Sequence, residues 1–463
     1  MTKLTRQPTE SSQIDYPARY ERFSLQENPF PPEPTINKDS QDRRINGDIY
    51  ENEIRKLEFE QIQKSFLRQS LSMPNHLRLG YIVDTSYIGR GNGKSAFLVN
   101  LQNKINNDFC LDISGGINKS FAIYVQPEPG GRTKSFMSFL DALFSAIIRA
   151  DMVNIVLASL RLTAINTLYP AKKFQLTDEE LVQNLLSENW FEKEGLDLRK
   201  LEELICQNKT LQDLPSDFPI FRGRRSLIVP FISQRDFELY YSTELKKGKD
   251  KIDFIFTHLV RLFQSASFNG AFILVDDFER IPDWQSARQK KDFALELRTA
   301  LFDGMSLNAK LGFYNFILVL HAGVQGLIIN AWAESGMENR SPISPSTTSN
   351  HLIRFEKLNR EHAILMVKKY LSEYRLAGSK VDPLYPFTGD AIEQIGELSE
   401  YNAAKILKMA YDLVELVVTS SDAKQIDREF VLSKKALLEE TANKNVHRLE
   451  NVEGIDLQKK ISE

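Results

Sequence analysis

The segment Gly89-Arg90-Gly91-Asn92-Gly93-Lys94-Ser95 constrains this chain more than any other, because of what flanks it. Upstream, the apolar run Leu77 to Val83 reads as a strand. Downstream, Phe97, Leu98, Leu101 and Ile105 fall on one face of a helix. A strand that turns through glycines into a helix N-terminus points backbone N–H groups inward and adds the positive end of the helix dipole. Together these cradle phosphate oxygens. In such a cradle Lys94 would neutralise β- and γ-phosphate charge, and the Ser95 hydroxyl would ligate Mg²⁺. The usual spacing asks for a glycine where this chain has Ile88, so the flexible turn would start one residue later. The segment 89–95 is therefore expected to bind ATP or another purine nucleoside triphosphate.

Further strands are expected at Phe121 to Val125, Ala271 to Val275 and Phe313 to Leu320. Their near-continuous apolar character suits parallel strands covered on both faces. The third of these four strands ends in Asp276-Asp277. A nucleotide-hydrolysing site needs one carboxylate for Mg²⁺ and a second group to orient the attacking water. Asp276 takes the first role through the metal's water shell and Asp277 the second, with Glu279 as a rival for Asp277. Lys94 and Asp276 lie 182 positions apart, far more than one β-α-β step requires. A mostly helical insertion over about 135–250 accounts for the excess.

Composition narrows the classes. A net charge of −3 over 463 residues argues against a broadly basic surface that coats nucleic acid. Arg222, Arg224 and Arg225 form a local basic cluster that could touch DNA or RNA phosphates, although a solvated basic loop fits the same residues. Two cysteines, Cys110 and Cys206, make neither a disulfide framework nor a four-ligand metal site, and the six histidines show no metal-ligand spacing. No apolar run approaches the ~20 residues that span a membrane, and no signal-peptide segment follows Met1, so a cytoplasmic protein is expected. The domain reading is an extended proline-rich arm over 1–47, a nucleotide-binding core over 48–355, a helical lid over 356–420 and a polar tail over 421–463.

Taken in order, the glycine-rich loop, the second strand, the Asp-Asp strand, a strand ending at Leu320-His321 and a helical segment resemble the AAA+ superfamily of ATPases. The resemblance spans roughly 76–420 and lies nearest the origin-recognition (Orc/Cdc6-like) and STAND-like branch. It implies an α/β P-loop NTPase core with a parallel sheet, the helical insertion, and a carboxy-terminal helical lid. It also implies that His321 is the polar sensor near the γ-phosphate. Arg340, with Arg354 as runner-up, would reach a neighbouring subunit's nucleotide, although a surface salt bridge explains either arginine as well. Asn28-Pro29-Phe30 is similar to an arm that helps enclose the adenine. The segment Glu400 to Leu407 is similar to the lid motif whose arginine senses nucleotide, but Ala404 stands at that position. Either Lys405 or Lys408 substitutes, or the lid does not sense the γ-phosphate directly.

The resemblance implies a Mg²⁺-dependent ATPase acting as a switch or motor subunit. It would work as a homo-oligomer or with partner subunits, in DNA transactions or anti-phage defence. About forty residues follow the lid, fewer than a winged-helix domain needs, so a replication initiator of the usual architecture is not expected. The alternative is a nucleotide-stabilised scaffold with little turnover that recruits a separate effector.

Overall fold

The computed structural model describes residues 16–68, 77–84, 91–221, 231–321, 324–344, 349–420 and 424–442. The chain divides into two units with separate cores. A sheet unit comprises Leu57–Asp84 and Leu101–Arg354; a helical unit comprises Met1–Lys56, Thr85–Asn100 and Phe355–Glu463. Residues 48–56 and 85–100 group with the helical unit.

In chain order the labelled elements are β1 (Leu79–Asp84), α1 (Lys94–Asn107), β2 (Ser120–Val125), α2 (Phe136–Arg149), α3 (Met152–Leu168) and α4 (Leu198–Cys206). Then follow β3 (Gly270–Val275), α5 (Ala287–Arg298), β4 (Tyr314–Leu320), α6 (Val324–Glu334), β5 (Leu352–Phe355), α7 (Arg360–Glu373), α8 (Gly389–Leu398) and α9 (Ala403–Thr419). All four strands expected from the sequence form, and β5 is added.

The strands make one sheet in the order β2-β3-β4-β1-β5. The pairs β2–β3, β3–β4 and β4–β1 are parallel. Each residue of β3 is buried, as a strand covered on both faces requires. Register aligns Val83 of β1 with Leu320 of β4, and Val275 of β3 with Leu318. The residues that end or follow these strands, Asp84, Asp276 and His321, therefore stand at one edge of the sheet. Ligand chemistry in parallel α/β sheets gathers at this carboxyl edge.

Between β2 and β3 the chain makes the expected helical excursion. A capping box at Ser135 and Ser138 starts α2, and the left-handed Asp151 (φ 57°) separates it from α3. Both helices are apolar because they are core: Phe139, Leu140, Leu143, Val153, Val156 and Leu157 are buried. No single helix among the described residues is long and apolar enough to cross a membrane. At the centre of the excursion Arg161 and Glu202, both fully buried, form an ion pair at 2.7 Å. Arg161 also donates to the carbonyls of Leu185 and Ile232.

In the helical unit, α7, α8 and α9 pack around one core together with the amino-terminal segment. The expected extended arm is corrected here. Tyr16–Glu21 is helical, and Phe23, Leu25 and Phe30 are buried in that core. Asn28 donates from Nδ2 to the Tyr411 carbonyl and to Glu415, and Phe30 stacks on Tyr370. Proline-rich sequence here marks absence of regular structure, while its aromatic residues still supply burial. The tail also docks in part, with a short helix Arg428–Ser433 and Val431, Leu438 and Ala442 buried.

Candidate functional site

At the sheet's carboxyl edge, β3 delivers two adjacent carboxylates into different environments. Asp277 adopts the left-handed conformation (φ 46°, ψ 45°) before the turn Phe278–Arg280. Aspartate is one of the few non-glycine residues that visit this region readily. The turn separates the two side chains. Asp276 is almost wholly buried; its Oδ2 accepts from the Tyr124 hydroxyl at 2.6 Å and its Oδ1 from the Asp277 N–H at 3.0 Å. Burial first, and then the Asp276 charge, push the Tyr124 hydroxyl far above its ordinary pKa, so it stays protonated and donates.

Asp277 instead meets a cation. Its Oδ2 lies 2.6 Å from Nη2 of Arg280 and accepts from Gln126 Nε2 at 3.1 Å. Its Oδ1 is 3.4 Å from His321 Nε2. The same histidine nitrogen is 3.1 Å from Oε1 of the buried Glu279, and Nδ1 is 3.7 Å from Asp84 Oδ2. His321 thus sits among three carboxylates drawn from the ends of β1 and β3. Asp277, Glu279 and His321 each present one ligand atom within 4.8 Å of the others, which is metal-ligand spacing.

In the helical unit, the loop before α1 has Gly91 at φ 104° and Gly93 at φ 82°, conformations that disfavour any side chain. Lys94, the first residue of α1, is buried, and Ser95 is partly so. Arg55 donates to the Asn92 Oδ1 at 3.0 Å and lies over the Phe355 ring, which fixes the loop from one side. On the other side the Ala404 N–H donates to the Gly91 carbonyl at 3.0 Å. Asn402 caps α9 by accepting from the Lys405 N–H. A Cβ at Gly91 would lie 2.7 Å from both Ala404 Cβ and Asn402 Oδ1, whereas one at Gly93 would meet nothing within 4 Å.

The sequence-derived residues are therefore distributed as follows. Gly91, Asn92, Gly93, Lys94 and Ser95 belong to the loop of the helical unit; Asp276, Asp277, Glu279 and His321 belong to the sheet edge. Gly89 and Arg90 lie outside the described residues, as do Arg222, Arg224 and Arg225. Arg340 is half exposed and donates to Asp303 at 2.8 Å, and Arg354 is exposed. Lys408 pairs with Asp412 within its own helix. Sequence reasoning missed Tyr124, Gln126, Arg280 and Asp84. Only Arg280 left a signal, as a cation three residues after Asp277.

A scan against protein-family models matches no family, and a search of curated proteins finds no match.

Proposed function

We propose that this chain is a P-loop ATPase of AAA+ type, binding ATP with Mg²⁺ and serving as a switch subunit in a larger assembly. One observation carries the reading. A strand, β4, intervenes between β1, which runs on into the glycine-lysine-serine loop, and β3, which ends in Asp276-Asp277. A polar residue on that intervening strand then stands at the same edge as the two aspartates, and His321 is that residue. A β-α-β pair of neighbouring strands would lack it.

Roles follow from chemistry. Backbone N–H groups at Gly91 to Ser95 suit phosphate, with Lys94 supplying charge and Ser95 a hydroxyl ligand. The Asp276 carboxylate accepts from the Tyr124 hydroxyl and from the Asp277 N–H. A carboxylate oriented in this way at the end of a strand suits a water of a hydrated Mg²⁺. Bound Mg²⁺ would supply neutralisation of phosphate charge. Asp277 shares the water-orienting role with Glu279 and His321, since Arg280 occupies one of its oxygens. Arg340 would serve a neighbouring subunit only by exchanging its bond to Asp303. The helical excursion, as an addition to the sheet, suits contacts with protein partners or DNA, which fits DNA transactions or anti-phage defence.

A second reading, a nucleotide-stabilised scaffold with little turnover, is favoured by Ala404, which gives the loop a backbone N–H where an arginine would give charge. Equilibrium ATP binding and steady-state hydrolysis, with and without DNA, separate the two. For the switch, Lys94→Ala abolishes binding, and Asp277→Ala keeps binding but loses turnover. Wild-type turnover equal to that of Asp277→Ala selects the scaffold. ATP binding unaffected by Lys94→Ala overturns both.

A further inference from the structure

The geometry points to a metal site that does not depend on nucleotide: Asp277 Oδ1, Glu279 Oε1 and His321 Nε2 form a three-ligand seat for a first-row divalent transition metal, Zn²⁺ or Mn²⁺. From His321 Nε2 the distances are 3.1 Å to Glu279 and 3.4 Å to Asp277, and all three donors lie within 4.8 Å. An ion with bonds of about 2.0–2.2 Å holds its ligands about 3.0 Å apart at right angles and about 3.4 Å apart at tetrahedral angles. The two distances from His321 Nε2 stand at the edge lengths of a coordination polyhedron.

The outer contacts have the corresponding form. A metal-ligating histidine turns its other nitrogen to a carboxylate, and ligating carboxylates are themselves hydrogen-bonded. His321 Nδ1 faces Asp84, whose side chain is only 3% exposed. The second oxygen of Asp277 is held by Arg280 and Gln126. Asp277 is thus fixed through its outer oxygen, and His321 Nδ1 stands within ion-pair range of Asp84 at 3.7 Å. One imidazole with two carboxylates suits Zn²⁺ or Mn²⁺, whereas Mg²⁺ prefers oxygen ligands and retained water. The ligand set shares no residue with Ser95 and Asp276, the residues proposed above for Mg²⁺.

The test uses the full chain, dialysed against chelator and titrated by calorimetry with Zn²⁺ and, separately, Mn²⁺, in the absence of nucleotide. Elemental analysis gives stoichiometry. The expected result is one ion per chain, with affinity at least tenfold weaker in His321→Ala and in Glu279→Gln and unchanged in Ser95→Ala. Glu279→Gln conserves shape and decides the matter if His321→Ala fails to fold, as judged by circular dichroism and melting. Absence of stoichiometric binding would mean that His321 only bridges the carboxylates, and overturns the site. Binding that both edge variants leave intact, or that Ser95→Ala abolishes, overturns it too. The ATP-binding arm with Lys94→Ala reads the nucleotide proposal separately.

Discussion

Gly91 and Gly93 are two residues apart in the same loop, both left-handed, and yet they should respond differently to one added methyl group. At Gly93 (φ 82°) a Cβ meets nothing within 4 Å. Gly93→Ala therefore carries only the backbone penalty, about 1–2 kcal/mol. At Gly91 (φ 104°) the Cβ lands 2.7 Å from Ala404 Cβ and from Asn402 Oδ1. Neither is the free end of a long side chain: Ala404 belongs to the first turn of α9 and Asn402 is that helix's cap. The helix start must shift, at an overpacking cost of about 1–3 kcal/mol. The shift also breaks the Ala404 N–H bond to Gly91, worth about 0.5–1.5 kcal/mol. Gly91→Ala should therefore be about 1.5–4.5 kcal/mol less stable than Gly93→Ala. At about 2–4 °C per kcal/mol for a domain of this size, its Tm should lie roughly 3–18 °C lower. Differential scanning calorimetry without nucleotide measures the gap, and Ala404→Gly in the Gly91→Ala background should close part of it. Equal melting of the two alanine variants would refute the docking of α9 on the loop.

Arg161→Met strands Glu202 in the core and should cost about 3–5 kcal/mol in urea unfolding, while Arg161→Met with Glu202→Leu recovers most of the loss. Burial already raises the Glu202 carboxyl, so in Arg161→Met the deficit should be larger at pH 8 than at pH 5; a pH-independent deficit would contradict this. Tyr124→Phe removes the hydroxyl donor to Asp276 and should lower stability by about 1.5–3 kcal/mol while weakening Mg²⁺-dependent ATP binding; no change in either measurement would exclude the contact. Burial holds His258 and His351 below the ordinary histidine pKa of 6.5, so below that value the unfolded chain takes up protons that the folded chain does not. Stability should fall as pH drops from 7 toward 5, by up to about 1.4 kcal/mol per pH unit for each histidine, and His351→Asn should flatten the slope. A slope unaffected by that substitution would remove His351 from the cause.

How legible the molecule was depended on whether the signal was local. Apolar runs and glycines mark strands and the loop wherever they occur, and β1 to β4 were read within two residues of their observed ends. Burial of the amino-terminal segment was not legible, because Phe23 and Phe30 are covered by residues more than 300 positions away, on α7 and the Tyr385–Phe387 segment. The site divides in the same manner. Asp276, Asp277 and His321 follow recognisable strands, so their edge could be anticipated. Tyr124 is one apolar-looking residue of β2, and only the β2–β3 pairing shows its hydroxyl on Asp276. Ala404 stands where the similar lid motif has an arginine, and only the folded chain shows its N–H on the Gly91 carbonyl.

The division of labour between Asp276 and Asp277 rests on backbone geometry. Two identical side chains on a continuing strand would point to opposite faces, each meeting a covering layer. Here the strand stops at Val275 and Asp277 turns left-handed, so both carboxylates remain at the sheet edge with different neighbours. Asp276 gains two hydrogen-bond donors, the Tyr124 hydroxyl and the Asp277 N–H. Asp277 gains Arg280, which offsets its charge and fixes one oxygen. The remaining oxygen faces His321, whose Nε2 lies nearer still to Glu279. Water orientation or metal binding at this edge is therefore a property of three side chains held together, and removing Asp277 alone leaves a histidine–glutamate pair behind. Glu279→Gln, which spares Asp277 and its Arg280 bond, is consequently the sharper probe of what the edge does.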